Sequence, residues 1–299
     1  MTDILQLFKD FNIPHQTEGH KHCRPGWVNT ACPFCSGNPG LHLGATLDGK
    51  IFYCWRCGWH AADKAVAGLL KIPIHKAKQL LIEYVGLFTP TEQTKKKIRL
   101  KSFKFPSDTG SLEKRHLAYL ESRNFDAKKL VKDWNLQATG PISILDKTNY
   151  SHRILAPVYW QDEVVTFQAR DITNKNDKKY LACPTERELM HHKHIIYGKQ
   201  EKWKDTGICV EGITDVWRIG FDAFATFGIK YTPQQLRLIA QTFKRVPVLF
   251  DDDPQAKIEA NKLVAELRFR NVDSFRVDIT GDPGELTEQE TRYLIKHLT

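Results

Sequence analysis

The sequence predicts a multidomain chain of mixed α+β and α/β class: a small cysteine-rich module, then a mixed α+β segment, then a parallel α/β sheet. Three observations predict it. Two C-x2-C pairs, Cys32/Cys35 and Cys54/Cys57, stand 18 residues apart near the N-terminus. From Gly207 onward, apolar runs of strand length alternate with amphipathic runs of helical length, the pattern of a parallel sheet with crossover helices. Between these regions lies TPTEQTKKKIRLKSFK, residues 89–104, which is polar, lysine-rich and without sustained apolar periodicity, and reads as an exposed tether.

A length of 299 residues exceeds one ordinary domain, and 41% hydrophobic with 26% charged residues is globular composition. No apolar stretch approaches the roughly 20 residues of a membrane span, and the N-terminus lacks the basic start and apolar block of a secretion signal. No membrane partner is therefore expected. A net charge of +9 suits polyanionic partners, although charge alone does not separate nucleic-acid binding from simple solubility.

Residues 1–88 hold five of the seven cysteines. The paired knuckles fall in the zinc-ribbon range, with Cys32, Cys35, Cys54 and Cys57 at the corners of a tetrahedron and residues 49–53 as a strand entering the second knuckle. Four thiolates leave no open coordination position, so a bound Zn2+ would be structural. Cys23, His20, His22 and His42 are alternative ligands, while Cys183 and Cys209 read as packing residues. Arg24, Trp27, Trp55, Arg56 and Trp59 surround the knuckles, and aromatics beside arginines suit stacking on unpaired template bases. The competing reading places Phe52 and one tryptophan in the module's own core. Two amphipathic helices, 61–70 and 75–85, close the module.

Beyond the tether, helices are expected at 111–120 and 127–134, then strands 154–160 and 164–170 about a three-residue turn. From Gly207 the expected order is strand 208–210, helix 214–219, strand 223–227, helix 233–243, strand 246–250, helix 254–270 and strand 274–279. Thr287 with Glu290 forms a capping box for a last helix.

Strand 246–250 ends in Asp251-Asp252-Asp253. In extended chain residues two apart face the same way, which puts Asp251 and Asp253 together. Asp253 before Pro254 is also a helix N-cap and N1 pair. Glu211 follows strand 208–210, and strand ends of an open parallel sheet line one crevice. Three such acids make a hard-oxygen site for Mg2+ or Mn2+; Asp215 and Asp282 are weaker candidates. Glu211 alone also reads as a surface ion-pair partner.

These residues carry a family resemblance. Val210-Glu211-Gly212-Ile213-Thr214-Asp215, Ala225-Thr226-Phe227-Gly228 and Phe250-Asp251-Asp252-Asp253 resemble the Toprim domain. Arg153-Ile154-Leu155-Ala156-Pro157-Val158, Gln168-Ala169-Arg170 and Lys179-Tyr180-Leu181-Ala182-Cys183-Pro184, with Lys193 and Tyr197-Gly198, are similar to the polymerase core of DnaG-type bacterial and phage primases. The ribbon resembles the primase zinc domain.

The resemblance spans nearly the whole chain in the family's order. It implies a DNA primase that makes short RNA primers on single-stranded DNA by metal-dependent nucleotidyl transfer. Residues 1–88 would be the zinc domain, 89–104 the tether, 105–204 the first part of the polymerase core and 205–299 the Toprim sheet. Glu211, Asp251 and Asp253 would be the catalytic acids holding Mg2+ or Mn2+, with Asp215 and Asp282 auxiliary. Arg153, Arg170, Lys179, Tyr180 and Lys193 would hold nucleoside triphosphates and template.

On strand 164–170, Thr166, Gln168 and Arg170 share a face opposite Val165, Phe167 and Ala169, so Arg170 is expected to project outward. Two departures stand out: Gln168-Ala169 stands where many members of the family have a glycine pair, and a common Asp-x-Asp-x-Ala-Gly stretch reads Asp251-Asp252-Asp253-Pro254-Gln255-Ala256, with Pro254 altering how the next helix begins. The chain has no G-x4-G-K-[S/T] loop, so a separate replicative helicase is the implied partner, in a bacterial or phage-infected cytoplasm. The rival readings are a Toprim nuclease or topoisomerase-like enzyme, and a non-catalytic zinc and Toprim mediator that binds single strands.

Overall fold

The computed structural model describes residues 3–18, 23–35, 40–87, 101–173, 175 and 178–299, and divides into two units, 1–96 and 97–299. In the first, α1 (Ile4–Asp10) is capped by Asp3, whose carboxylate accepts the Gln6 N–H at 2.9 Å. Strands β1 (His15–Gln16), β2 (Trp27–Thr30), β3 (Leu43–Thr46), β4 (Phe52–Cys54) and β5 (Gly58–His60) follow as an antiparallel sheet in sequence order. Helices α2 (Ala62–Leu70) and α3 (Ile74–Val85) pack against each other, with α3 also against α1, and α3 stops at Gly86 in the left-handed region. The core of Leu7, Phe8, Val28, Leu43, Phe52, Leu81 and Tyr84 is small for a free-standing module, the size range in which a metal staple commonly adds stability.

The second unit begins earlier than the lysine-rich composition suggests. Residue 88 and residues 89–100 of the tether lie outside the described residues, but within 101–104 the chain runs along the core and Phe103 packs on it. The Lys101 N–H donates to the Glu186 carbonyl, and Phe103 and Phe105 pack on the buried Phe167. Two aromatics at alternate positions were hidden among the lysines.

Next come β6 (Thr109–Gly110), α4 (Lys114–Ser122), α5 (Ala127–Trp134), β7 (Gln137–Thr139), the hairpin β8 (Ile144–Leu145) with β9 (Thr148–Asn149), then β10 (Arg153–Trp160), β11 (Glu163–Asp171) and β12 (Tyr180–Ala182). These form an antiparallel sheet in the order β12-β11-β10-β7-β6, with β8 and β9 separate. The β10–β11 loop has two residues rather than three. Gln161 and Asp162 both have positive φ and Glu163 already pairs with Trp160, the geometry of a tight twisted hairpin. A bulge at Val158/Tyr159 moves Val165 off the Phe167 face, and it packs with Val158.

The parallel sheet is formed by β13 (Ile208–Val210), β14 (Ala223–Ala225), β15 (Arg245–Val248) and β16 (Asp273–Arg276), in the order β14-β13-β15-β16. Its crossover helices are α6 (Ile213–Ile219), α7 (Pro233–Thr242) and α8 (Pro254–Phe269), and α9 (Glu288–Leu298) ends the chain. Thr232 and Asp253 cap α7 and α8 ahead of Pro233 and Pro254. From β13 the chain steps to β14 on one side and later returns to β15 on the other. The carboxyl ends of β13 and β15 therefore flank a topological switch point, where a crevice opens in sheets of this kind.

Candidate active site

Glu211 follows β13 and Asp251 follows β15, so both acids reach the switch-point crevice. The carboxylates of Glu211, Asp251 and Asp253 bring oxygens within 4.8 Å of one another. The grouping expected from alternation is present, but the acids lie in the turn after β15 rather than in extended strand. Asp252 turns away and pairs with Lys257. Asp253 also accepts the Gln255 and Ala256 N–H groups at 2.9 and 3.0 Å, so it caps α8 while facing the cluster.

Asp215 and Asp282 line the same cavity, of about 430 Å3. Asp215 is buried and accepts the Gly212 N–H at 2.8 Å; Asp282 accepts the Gly284 N–H at 2.6 Å. The two carboxylates crowd Gly284 so closely that a Cβ there would lie 2.9 Å from one and 3.0 Å from the other.

Burial first, and then mutual repulsion, raises the pKa values of these acids. Glu211 is pushed up to about 7, Asp251 to about 6 and Asp215 to about 8. A crowd of hard-oxygen donors that resist ionising together is a donor set suited to Mg2+ or Mn2+.

The basic residues divide. Lys179 is exposed at the cavity, and Arg170 and Tyr180 line it. Arg170 does not project into solvent: it is only 8% exposed, under Tyr119 and Tyr180. Its Nε donates to the Tyr119 hydroxyl at 3.0 Å, its guanidinium lies 4.7 Å from the Tyr180 ring centroid, and the Tyr180 hydroxyl meets that of Thr214 at 2.8 Å. The guanidinium is thus held in one orientation.

Two other candidates are taken up by the protein itself. Arg153 is buried and donates to the carbonyls of Ala169, Lys178 and Lys179 at 3.1 to 3.3 Å, bracing β10 against β11 and β12. Lys193 donates to the carbonyls of Thr226, Phe227 and Lys230, each at 2.9 Å. Neither lines the cavity. Gln168, Arg123 and Phe227 do, and residue type and spacing gave no signal for Arg123 or Phe227 as lining groups.

In the first unit, the Sγ atoms of Cys32, Cys35, Cys54 and Cys57 lie within 4.8 Å of one another, with closest pairs of 3.3 to 3.6 Å. A tetrahedral Zn2+ with 2.3 Å bonds needs sulfurs about 3.8 Å apart, so the set fits after slight expansion. His20 and His22 lie outside the described residues. The histidine beside the cluster is instead His60, whose Nε2 is 3.1 Å from Cys57 Sγ, with Phe34 stacked on its ring. Trp55 and Trp59 are exposed and joined edge-on through Tyr53, and Arg24 lies 5.3 Å from the Trp55 ring. Arg56 is exposed, whereas Trp27 folds its ring over Gly44.

A further group, Glu188, His191 and His192, has metal-ligand spacing. Its hydrogen bonds argue for internal bracing. His191 Nδ1 accepts the Lys193 N–H at 3.1 Å, which leaves the proton on Nε2, pointing toward the Glu188 carboxylate at 3.8 Å.

No protein-family model matches the chain, and no curated protein matches it. Among solved structures it is similar to the zinc-binding and RNA polymerase domains of the Aquifex aeolicus primase, at 19% identity and a TM-score of 0.53, over 99% of this chain and 82% of that one. It is also similar to a DnaG primase catalytic domain bound to single-stranded DNA, at 17% identity and a TM-score of 0.54, over 62% of this chain and 70% of that one. The E. coli primase catalytic core matches at 17% identity and a TM-score of 0.52, over 61% and 71%. Parallel sheet, antiparallel sheet and cysteine ribbon together thus give this chain the fold of the zinc-binding and polymerase domains of DnaG-type primases.

Proposed function

We propose that the chain is a DNA primase, which joins ribonucleotides into short primers on a single-stranded DNA template. The observation that carries this reading is the meeting of Glu211 and Asp251 in one cavity with Arg170 and Lys179, with Asp253 joining the two acids in one carboxylate cluster. Bound Mg2+ or Mn2+ would supply the Lewis acid that lowers the pKa of a primer 3′-hydroxyl and offsets phosphate charge. Glu211, Asp251 and Asp253 would hold that metal, with Asp215 and Asp282 completing the acidic wall. Arg170, fixed by Tyr119 and Tyr180, would present its fork to the triphosphate, and Lys179 would add charge at the rim.

In the same reading the ribbon holds Zn2+ and offers Tyr53, Trp55 and Trp59 with Arg24 to unpaired template bases. Residues 1–88 would select the start site, residues 105–204 would hold nucleotide and residues 205–299 the metal. A separate replicative helicase belongs to the same reading as a partner.

The test is incubation with single-stranded DNA, four ribonucleotides and Mg2+ or Mn2+. Short labelled RNA is expected from wild type and none from Asp251→Asn. Metal-dependent cleavage of DNA without nucleotides would support a nuclease instead, and tight strand binding without product would support a mediator.

A further inference from the structure

The turn at residues 226–230 forms part of the cavity wall through Phe227 and Gly228. Its backbone is held in a demanding shape: Phe227 has φ of 60° and Gly228 of 110°. A bulky residue rarely adopts the left-handed region, so something must hold the turn there. The turn also reaches the acids directly, since the Gly228 N–H donates to the Glu211 carbonyl at 2.7 Å.

Three carbonyls of this turn, from Thr226, Phe227 and Lys230, point at one spot, and Lys193 Nζ occupies it at 2.9 Å from each. An ammonium has three protons, so its donor capacity is used up with none left for a phosphate. Three carbonyl dipoles aimed at one another repel unless a cation sits between them, so the ammonium stabilises the turn, alongside the Gln235 Nε2 donor to the Thr226 carbonyl at 3.1 Å and the Thr226 hydroxyl donor to the Gly228 carbonyl at 2.8 Å. Lys193 is itself anchored from two sides. Its carbonyl accepts the Thr232 hydroxyl at 2.6 Å, and the preceding His192 is tied through Glu188 to Thr166 of β11.

We infer that Lys193 is a positioning residue, a built-in cation that holds the 226–230 turn and, through Gly228, sets the main chain at Glu211, without touching nucleotide. This inference rests on the proposed reading of the cavity, and its test is arranged so that the two fail separately. In Lys193→Ala the missing atoms, Cγ to Nζ, correspond to one molecule of propylammonium, which can enter the vacated channel and bind the same three carbonyls. Lys193→Met keeps an unbranched apolar stem, so it tests loss of the ammonium with the channel filled.

Two measurements are made on the full chain: primer synthesis against nucleotide concentration, and Mn2+ affinity in the absence of nucleotide. The expected result is a fall in kcat of about 100-fold in both variants, the scale of a slight misplacement of reacting groups. Nucleotide KM should stay unchanged and Mn2+ binding should weaken. Propylammonium should restore Lys193→Ala and leave Lys193→Met unaffected, while propanol restores neither.

A raised KM with kcat retained would overturn the inference in favour of direct nucleotide contact. Unchanged Mn2+ affinity in both variants, or absence of rescue in a folded Lys193→Ala chain, would also overturn it. If wild type makes no primer, the primase reading falls, and the Mn2+ affinities with and without propylammonium still decide the role of Lys193.

Discussion

The Asp251 main-chain N–H donates to the Glu211 carboxylate at 2.9 Å, so the acid at the end of β13 is held by the backbone at the end of β15. Architecture and charge can therefore be separated at Glu211. Glu211→Gln retains an oxygen that accepts this bond but loses the negative charge. Both Glu211→Gln and Asp251→Asn are expected to lower primer synthesis by at least about 100-fold, on the scale of losing one electrostatic group from an active site. Metal-free melting should stay level or rise, because one member of a repelling cluster has been neutralised. Asp253→Asn should likewise lose activity while keeping α8 capped, since asparagine caps as well as aspartate. Asp252→Asn should retain activity, its carboxylate being engaged by Lys257. Primer yield and melting of the four variants check this, and an inactive Asp252→Asn would count against the assigned cluster.

The same crowding fixes a pH dependence. Carboxyls raised to about 6, 7 and 8 at Asp251, Glu211 and Asp215 bind protons in the folded state that the unfolded chain has already released. Their contribution to stability is therefore present in acid and is lost as pH rises through these values. Buried His116, whose pKa is lowered by burial, acts oppositely at low pH, so the informative quantity is a difference between variants. Metal-free Asp251→Asn is expected to gain melting temperature relative to wild type as pH rises from about 5 to 8, and the gap should close on adding Mg2+. A gap independent of pH would show that these acids do not titrate together.

Much of this was legible in the sequence, for identifiable reasons. The ribbon followed from two C-x2-C pairs, because metal-ligand spacing is local. The parallel sheet followed from the alternation after Gly207, and the meeting of Glu211 with Asp251 followed from a rule about strand ends. What failed were features set by tertiary contact. The sequence does not say whether a basic side chain meets solvent, ligand or main-chain carbonyls, and Arg153 and Lys193 both went to carbonyls. Nor did alternation reveal the bulge at Val158/Tyr159 or the cover of Tyr119 and Tyr180 over Arg170, since both depend on neighbouring elements.

Arg153 gives the third prediction. A buried guanidinium that donates to three carbonyls holds β10, β11 and β12 in place, and removing it takes a donor from each, although the Lys179 carbonyl still accepts the Asp171 N–H at 2.8 Å. Arg153→Met is expected to cost about 3 kcal/mol, the scale of lost bonds from a charged donor. At a temperature where the variant is folded, nucleotide KM should change little. Arg170→Met should behave in the opposite way, raising KM with a smaller loss of stability. Denaturant melts and nucleotide titrations of both variants decide the matter. A large KM effect with normal stability in Arg153→Met would return Arg153 to the nucleotide site.

The last prediction concerns the cysteine cluster. Four thiols whose closest pairs lie 3.3 to 3.6 Å apart form no disulfide among them, and a shared metal would draw them into one tetrahedron. About one equivalent of zinc per chain is expected, lost in a Cys54→Ser, Cys57→Ser double variant and retained in His60→Ala. Because the first unit has a small core, chelation should lower its melting transition. The second unit has its own core and should melt as before, still able to extend a preformed primer weakly while losing its choice of start site. Metal analysis, two-transition calorimetry and primer mapping before and after chelation check each step. Full zinc in the double variant would move the site elsewhere, and full loss in His60→Ala would make that histidine a ligand in place of one cysteine.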